Sequence, residues 1–165
     1  MREMSLSGLR VLDLSRVLAG PYAAMMLGDM GADVIKVERP ESGDDTRGWG
    51  PPFAADGQSA YFLSCNRNKV SLTADFRLPD DQLLLHRLIA QADVVIENFL
   101  PGSLARYGFD ADSLLAQNPR LVWCTISGFG ADATRPGYEF VVQAESGWMA
   151  MTGEPDGPPQ YVGDY

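Results

Sequence analysis

The chain has 165 residues, of which 45% are hydrophobic and 21% charged, a balance typical of a globular protein with a sizeable core. Its formal net charge of −9 argues against nucleic acid as a partner, because nucleic-acid phosphates require a basic surface. A small molecule that carries phosphate is compatible with this charge, since it needs only a few local arginines or backbone donors.

The cysteine and histidine content of the chain argues against a metal site. Cys65 and Cys124 lie far apart, no Cys-x-x-Cys motif is present and His86 is the single histidine, so we expect no metal site. No apolar run approaches the ~20 residues of a membrane span, and the N-terminus lacks the apolar core of a signal peptide. We expect a cytoplasmic enzyme or binding domain that contacts no membrane, with Cys124 buried in an apolar strand.

The first forty residues predict a β-α-β unit. Residues 9–14 form a mostly apolar run typical of a buried parallel strand, and Gly20 with Pro21 marks the start of a helix. Gly31 is placed to end that helix, and residues 33–38 predict the second strand. The turn between strand and helix lacks the G-x-G-x-x-G pattern of dinucleotide enzymes, so we expect a ligand other than NAD or FAD.

Strands and helices alternate along the rest of the chain. Residues 40–59 predict a long loop, of the kind that is often functional. Further strands are predicted at 69–75, 93–99 and 121–126, and further helices from 79, at 111–117 and at 139–151. This order predicts an α/β fold with an open, mainly parallel, Rossmann-like sheet and helices on both faces. No element closes the fold at its end, so we expect an incomplete lobe.

Residues that follow a strand are the candidate ligand contacts, because doubly wound folds bind ligands beyond the carboxyl ends of their strands. Arg16 and Val17 follow the first strand and precede a helix N-terminus, which attracts anions; an ordinary turn with a solvated arginine is the alternative. Arg39 follows the second strand and could clamp a phosphate or pair with Glu38 at the surface.

The sequence leaves more than one role open for Asn98, Asp44 and Asp45. Asn98 follows a strand and could orient a carbonyl group or cap a turn. Asp44 and Asp45 lie in the long loop, where we expect them to be solvated, with ordering over a ligand as the alternative. Because the single histidine is poorly placed, no Ser-His-Asp or Cys-His set is available, and covalent catalysis would use a carboxylate or a cysteine.

Several different short motifs follow one another in a specific order through almost the whole chain. They are LSGLRVLDL at 6–14, AGP at 19–21, GADVIKVERP at 31–40, GDDTR at 43–47, ENFLPG at 97–102, SGFG at 127–130 and RPGY at 135–138. Each is weak alone, but their order and spacing together resemble the family III coenzyme A transferases, which include formyl-CoA and carnitine CoA transferases. The resemblance implies that residues 1–165 are the N-terminal CoA-binding α/β lobe of a longer, homodimeric protein, with loop 40–60 inside it.

The resemblance also implies a mechanism in which an aspartate is the nucleophile. It attacks an acyl-CoA thioester to give a mixed anhydride, the released CoA thiolate then forms an aspartyl-CoA thioester, and an incoming carboxylate completes the exchange. The matching segment is Gly163-Asp164-Tyr165, which follows Gly157-Pro158-Pro159, so Asp164 is the implied nucleophile. A helix N-cap is the structural alternative for Asp164. CoA and acyl-CoA are then substrates, and no cofactor is bound permanently.

Roles around the CoA molecule are implied residue by residue. Arg39 and Lys69 resemble phosphate contacts, and Arg16 with Val17 faces the same crevice. The wall around CoA and its pantetheine arm is represented by Asn98, Ser103 and Arg106.

The residue type at the position of Tyr138 distinguishes two enzyme classes that share this fold. It resembles a residue near the acyl site, whereas 2-methylacyl-CoA racemases carry histidine there, because they use an aspartate and a histidine to exchange the α-proton. A racemase is therefore the alternative enzyme, and a lobe that binds CoA without turnover is the non-catalytic alternative. Leu18 stands where formyl-CoA transferases carry glutamine, which implies an acyl group less polar than formyl or oxalyl.

Overall fold

The computed structural model describes residues 4–163, and its contacts divide the chain into two compact units with a boundary between Ile126 and Ser127. We call the part up to Ile126 the sheet unit and the part from Ser127 the C-terminal unit. No helix among the described residues is long and apolar enough to cross a membrane.

The sheet unit is built on five parallel strands in the order β3-β2-β1-β4-β5. The strands are β1 (Arg10–Asp13), β2 (Asp33–Glu38), β3 (Lys69–Thr73), β4 (Val94–Glu97) and β5 (Val122–Thr125). In this register Val11 of β1 lies opposite Val34 on one side and Val94 on the other. The strand order reverses between β1 and β4, which is the Rossmann arrangement, so the predicted fold class is confirmed.

Helices follow the strands at nearly the predicted positions. They are α1 (Ala19–Asp29), α2 (Ala60–Asn66), α3 (Pro79–Gln91) and α4 (Ala111–Gln117), with 3-10 turns at Asp45–Gly48 and Ala105–Tyr107. The α1 helix ends at the predicted place, where Gly31 adopts a φ of 102°, a left-handed conformation that glycine takes without strain. The short α2 helix was not predicted. It begins after Ser59, whose Oγ accepts a hydrogen bond from the Phe62 N–H.

Apolar side chains on both faces of the sheet confirm the predicted helices on two sides. Leu12 of β1 and Val95 of β4 join a larger cluster with Leu85 and Ile89 of α3. The smaller cluster lies on the α1 side and contains Val11, Ala24, Ala32, Val34 and Ile96. Neighbouring residues on a strand therefore belong to opposite clusters, as the alternation of side chains along a strand requires.

Cys124 is exposed, so the expectation of a buried core cysteine was wrong. It lies on β5, which is at the edge of the described sheet. Trp123 packs against the larger cluster, whereas Val122 on the alternate side is 57% exposed. An apolar strand sequence therefore did not guarantee burial, because burial depends on what covers each face.

The C-terminal unit contains one short α-helix, α5 (Glu139–Glu145), and a 3-10 turn at Trp148–Met151 within its described residues. The predicted helix at 139–151 is thus interrupted, because Gly147 adopts a φ of 80°. Within this unit the side chain of Gln143 donates to the Gly163 carbonyl and accepts from the Val162 N–H. These bonds fix the backbone that leads toward the end of the chain.

Leu85 is expected to be the most sensitive position on α3, because its side chain is 1% exposed within the larger cluster. We expect Leu85→Ala to lower the free energy of unfolding by about 2–5 kcal/mol, through lost burial and the cavity left behind. Urea denaturation followed by circular dichroism measures this change. Leu83 on the same helix is 53% exposed, and Leu83→Ala is expected to stay within about 0.5 kcal/mol of the parent protein.

Candidate functional site

A cleft of about 750 Å³ lies in the sheet unit, at the ends of the strands. Its polar and aromatic lining includes Arg16, Arg39, Asp44, Phe76, Arg77, Phe99, Ser103, Arg106 and Tyr107. These residues come from the segments that follow β1, β2, β3 and β4, that is, from the carboxyl edge of the sheet. This edge is where open parallel sheets bind ligands, so the cleft is the candidate functional site.

Arg16, Arg39, Ser103 and Arg106 all line this cleft, whereas Val17, which was predicted to face the same crevice, is not among its lining residues. The guanidinium of Arg16 lies over the Phe99 ring, 4.8 Å from its centroid.

The guanidinium of Arg39 pairs with Asp45 and not with Glu38, and both side chains are about half exposed. The Ser103 hydroxyl donates to the Leu100 carbonyl, so it shapes the wall of the cleft.

Sequence reasoning missed part of the lining, namely Phe76, Arg77 and Tyr107. The Phe76 ring packs against those of Phe99 and Tyr107, at centroid distances of 5.8 and 6.2 Å. Arg77 donates to both carboxylate oxygens of Asp75, and these hydrogen bonds lower the Asp75 pKa to about 2. Phe76 and Arg77 could have been predicted from the sequence, because they follow a strand as the other candidates do.

The turn between β1 and α1 is held by Asn98. The side-chain Oδ1 of Asn98 accepts from the Arg16 N–H at 2.9 Å, and its Nδ2 donates to the Arg16 carbonyl at 2.7 Å. The next residue, Val17, has a φ of 70°. A Cβ at Gly20 would lie 2.2 Å from the Ser15 Cβ, so only glycine fits there. Asn98 therefore contacts the chain backbone, a role that differs from the ligand wall predicted for it.

Asp44 is buried, so the expectation of a solvated loop was wrong for this residue. Its Oδ2 lies 2.9 Å from the Lys36 Nζ, and the two side chains are 0% and 1% exposed. Burial raises the pKa of Asp44, but the charge of Lys36 and the hydrogen bonds from Thr46 outweigh it and lower the pKa. The Lys36 Nζ also donates to the Ser15 carbonyl at 3.0 Å, so this ion pair lies directly beneath the turn.

Lys69 does not present its charge to the cleft. Its Nζ donates to Asp13, to Asn66 and to the Pro21 carbonyl, at 2.9, 2.9 and 2.7 Å, and its side chain is 2% exposed. An ammonium group has three N–H donors, and all of them are engaged here. The predicted phosphate contact is therefore not retained. Lys69 instead ties β3 to β1 and to the first turn of α1.

Glu38 fixes the segment that follows β2. Its carboxylate accepts from the Arg47 Nε and Nη2 at 2.7 and 2.6 Å, from the Ser71 Oγ at 2.7 Å and from the Asp44 N–H at 2.9 Å. Burial raises the pKa of Glu38, but these donors together outweigh burial and lower the pKa to about 2. Arg47 in turn lies 3.8 Å from the centroid of the Phe62 ring.

The remaining predicted residues, Tyr138 and Asp164, follow the sheet unit in the sequence. Tyr138 belongs to the C-terminal unit, where it is 60% exposed and stacks on Phe140 at a centroid distance of 6.0 Å. Asp164 lies outside the described residues. Among residues 4–163, no group of three or more histidine, cysteine or acidic side chains is placed to hold a metal ion.

Comparison with known proteins identifies the class to which this fold and cleft belong. The model of CoA-transferase family III matches residues 6–165, so the chain belongs to that family. This confirms the resemblance carried by the sequence motifs. A crystal structure of a CaiB/BaiF family protein from Brucella suis is 53% identical, with a TM-score of 0.92 over 99% of this chain and 44% of that one.

The names of two related proteins state particular acids or acyl-CoA thioesters. A succinate–glutarate CoA-transferase of Agrobacterium fabrum is 54% identical, over 98% of this chain and 42% of the relative. A succinyl-CoA:glutarate CoA-transferase of Mus musculus is 47% identical, over 93% of this chain and 36% of the relative. The chain thus spans roughly two-fifths of the length of these proteins.

Glu38→Gln is expected to make the protein less dependent on pH between about 4.5 and 2. The folded pKa of Glu38 lies below its usual 4.5, so its contribution is complete above pH 4.5 and is lost as the pH falls toward 2. At neutral pH the variant should lose roughly 3 kcal/mol of unfolding free energy.

Urea denaturation of both proteins across this pH range measures the effect. The stability difference between parent and variant should shrink as the pH falls, whereas Glu154→Gln, at an exposed position, should follow the parent curve throughout. A difference that stays constant down to pH 2 would contradict the assignment to Glu38.

Proposed function

We propose that the intact protein is a CoA transferase, which moves CoA between an acyl-CoA thioester and a carboxylic acid. Residues 1–165 are then its CoA-binding lobe, and the intact protein is a homodimer. The observation that carries the proposal is the cleft at the carboxyl edge of the sheet, which combines arginines with aromatic rings in a chain of CoA-transferase family III. The share of relatives' length that this chain spans supports a protein with further segments.

The chemistry of the cleft is suited to CoA. Its arginines are Arg16, Arg39, Arg77 and Arg106. CoA carries several phosphate charges, and guanidinium groups bind phosphate through paired hydrogen bonds. The ion pairs of Arg39 with Asp45 and Arg77 with Asp75 are partly exposed, so little free energy opposes the exchange of a carboxylate partner for a phosphate. The rings of Phe76 and Tyr107 offer flat apolar surface for the adenine base.

Asp164 is the nucleophile in this proposal. One oxygen of its carboxylate attacks the thioester carbon, the C–S bond breaks, and CoA leaves as a thiolate while a mixed anhydride forms. The thiolate then attacks the carbonyl carbon of the aspartyl group, which releases the donor acid and leaves an aspartyl-CoA thioester. The acceptor carboxylate repeats these two steps in reverse order, which yields the new acyl-CoA and restores the aspartate. No proton, electron or cofactor is consumed.

Short dicarboxylic acids are the proposed acyl groups. Relatives 54% and 47% identical to this chain are named for succinate or succinyl-CoA and for glutarate. Both acids place methylene groups between the thioester carbonyl and a second, charged carboxylate; formyl and oxalyl groups lack this apolar spacer, and the apolar side chain of Leu18 favours it. Succinyl-CoA and glutarate are therefore the donor and acceptor with which to begin.

Arg106→Gln is expected to weaken CoA binding about 10- to 100-fold, because one charge-assisted contact to phosphate is lost. Isothermal titration calorimetry of the intact protein with CoA measures the dissociation constant. Raising the salt concentration should weaken binding to the parent protein more than to the variant, since fewer charges remain to be screened.

Arg120→Gln provides the matched control, because Arg120 is exposed and does not line the cleft. It should leave the dissociation constant unchanged. Equal weakening by both variants would mean that net charge alone determines affinity, and an unchanged constant for Arg106→Gln would exclude that residue as a contact.

Asp164→Asn is expected to reduce acyl exchange from succinyl-CoA to glutarate by several orders of magnitude, because an amide cannot form the anhydride. Incubation of the parent protein with succinyl-CoA and hydroxylamine should give a hydroxamate at Asp164, which mass spectrometry of peptides locates.

Asp156→Asn is the control for this segment, since Asp156 is exposed in the described chain. It should retain exchange. A hydroxamate at another carboxylate would overturn the assignment to Asp164, and CoA binding with no exchange in the parent protein would leave only a CoA-binding lobe. Rapid exchange of the α-proton of a 2-methylacyl-CoA would instead establish the racemase.

A further inference from the structure

The turn between β1 and α1 has an unfavourable backbone conformation, which contacts with other segments must stabilise. Val17 has a φ of 70°, a region that a β-branched residue rarely adopts because its side chain crowds the backbone. Arg16 immediately precedes it and lines the cleft. Whatever holds Val17 in this conformation therefore also determines where the guanidinium of Arg16 lies.

Three side chains from other segments hold this turn. Lys36 of β2 donates to the Ser15 carbonyl at 3.0 Å. The carboxylate of Asp44 accepts from the Val17 N–H at 3.3 Å. Asn98, which follows β4, bonds both the N–H and the carbonyl of Arg16 at 2.9 and 2.7 Å. Consecutive peptide groups of the turn are thus fixed by groups that belong to neither β1 nor α1.

Lys36 and Asp44 also bind each other, at 2.9 Å, and neither side chain is more than 1% exposed. Both border the cleft, but their charged atoms are enclosed and paired, so they are not available to a ligand. Their effect on a bound molecule has to pass through the turn that they hold. Removing one partner of a buried ion pair leaves an uncompensated buried charge and destabilises the protein, so the folded state retains both side chains beside the turn.

We propose that Lys36, Asp44 and Asn98 are positioning residues that hold Arg16 over Phe99 in the geometry required for CoA binding. This inference rests on the proposed function, since it assigns Arg16 a contact with CoA. It predicts that the effect of Asp44 on CoA affinity operates through Arg16. A purely structural role would instead reduce the fraction of folded protein and act independently of Arg16.

A double-mutant cycle separates these two roles. Arg16→Gln and Asp44→Asn are each expected to weaken CoA binding by the intact protein about tenfold, by calorimetry, and the double variant should be no weaker than the weaker single variant. Asp44→Asn keeps an oxygen that can accept from Thr46, but an NH₂ group in place of Oδ2 cannot accept from Lys36 or from the Val17 N–H. Asp29→Asn, which removes a carboxylate from the exposed pair with Arg67, is the matched control and should leave the affinity unchanged.

Steady-state kinetics provide the second measurement. Loss of Arg16 positioning should raise the KM for acyl-CoA about tenfold and leave kcat within about twofold. Loss of folded protein would lower the apparent kcat and leave KM unchanged. Urea denaturation reports whether each variant is folded.

Asn98→Leu repeats the same cycle if Asp44→Asn does not fold, because Asn98 is only half-buried and carries no charge. Full additivity with Arg16→Gln, or an unchanged CoA affinity in a folded Asp44→Asn or Asn98→Leu protein, would overturn the positioning role. An unchanged affinity in Arg16→Gln alone would instead overturn the contact between Arg16 and CoA that the proposed function assigns.

Discussion

The buried ion pair between Lys36 and Asp44 is the interaction on which the candidate site depends. Two charges withdrawn from water are costly unless each has close partners, and here both have such partners. Lys36 has Asp44 and the Ser15 carbonyl, while Asp44 also accepts from Thr46 and Val17. In the folded structure the strand β2, the loop after it and the turn after β1 therefore depend on one another, because displacing any one of them would take a partner from a buried charge.

A layer of paired charges links the strands and the loop around this ion pair. Lys69 with Asp13 joins β3 to β1, and Arg47 with Glu38 anchors the loop to β2. Apolar clusters form the core on both faces of the sheet, but apolar contacts are non-directional and do not fix a single backbone geometry. Hydrogen-bonded charges are directional, so this layer is suited to holding a ligand-binding edge in one conformation.

Exposed and buried ion pairs in the sheet unit have different physical roles. The pairs of Arg39 with Asp45 and Arg77 with Asp75 are partly solvated, so their carboxylates compete weakly with another anion. The buried pairs of Lys36 and Lys69 have no such freedom. Arg39 and Arg77 are thus accessible to another anion, whereas Lys36 and Lys69 only support the structure, and solvent access decides between these roles.

Local sequence determined the alternation of strands and helices, because apolar periodicity and the glycine and proline positions act over a few residues. The bounds of β2 and the end of α1 just before Gly31 follow from them. The order of post-strand segments likewise placed Arg16 and Arg106 in one cleft. Local pattern could not separate Lys69 and Asp44 from solvated charges. Both look like surface residues in the sequence, and only the packing of distant segments removes them from water and gives them partners. Burial is a property of the assembled fold, so only the tertiary structure decided that Lys69 and Asp44 are enclosed and paired and do not face solvent.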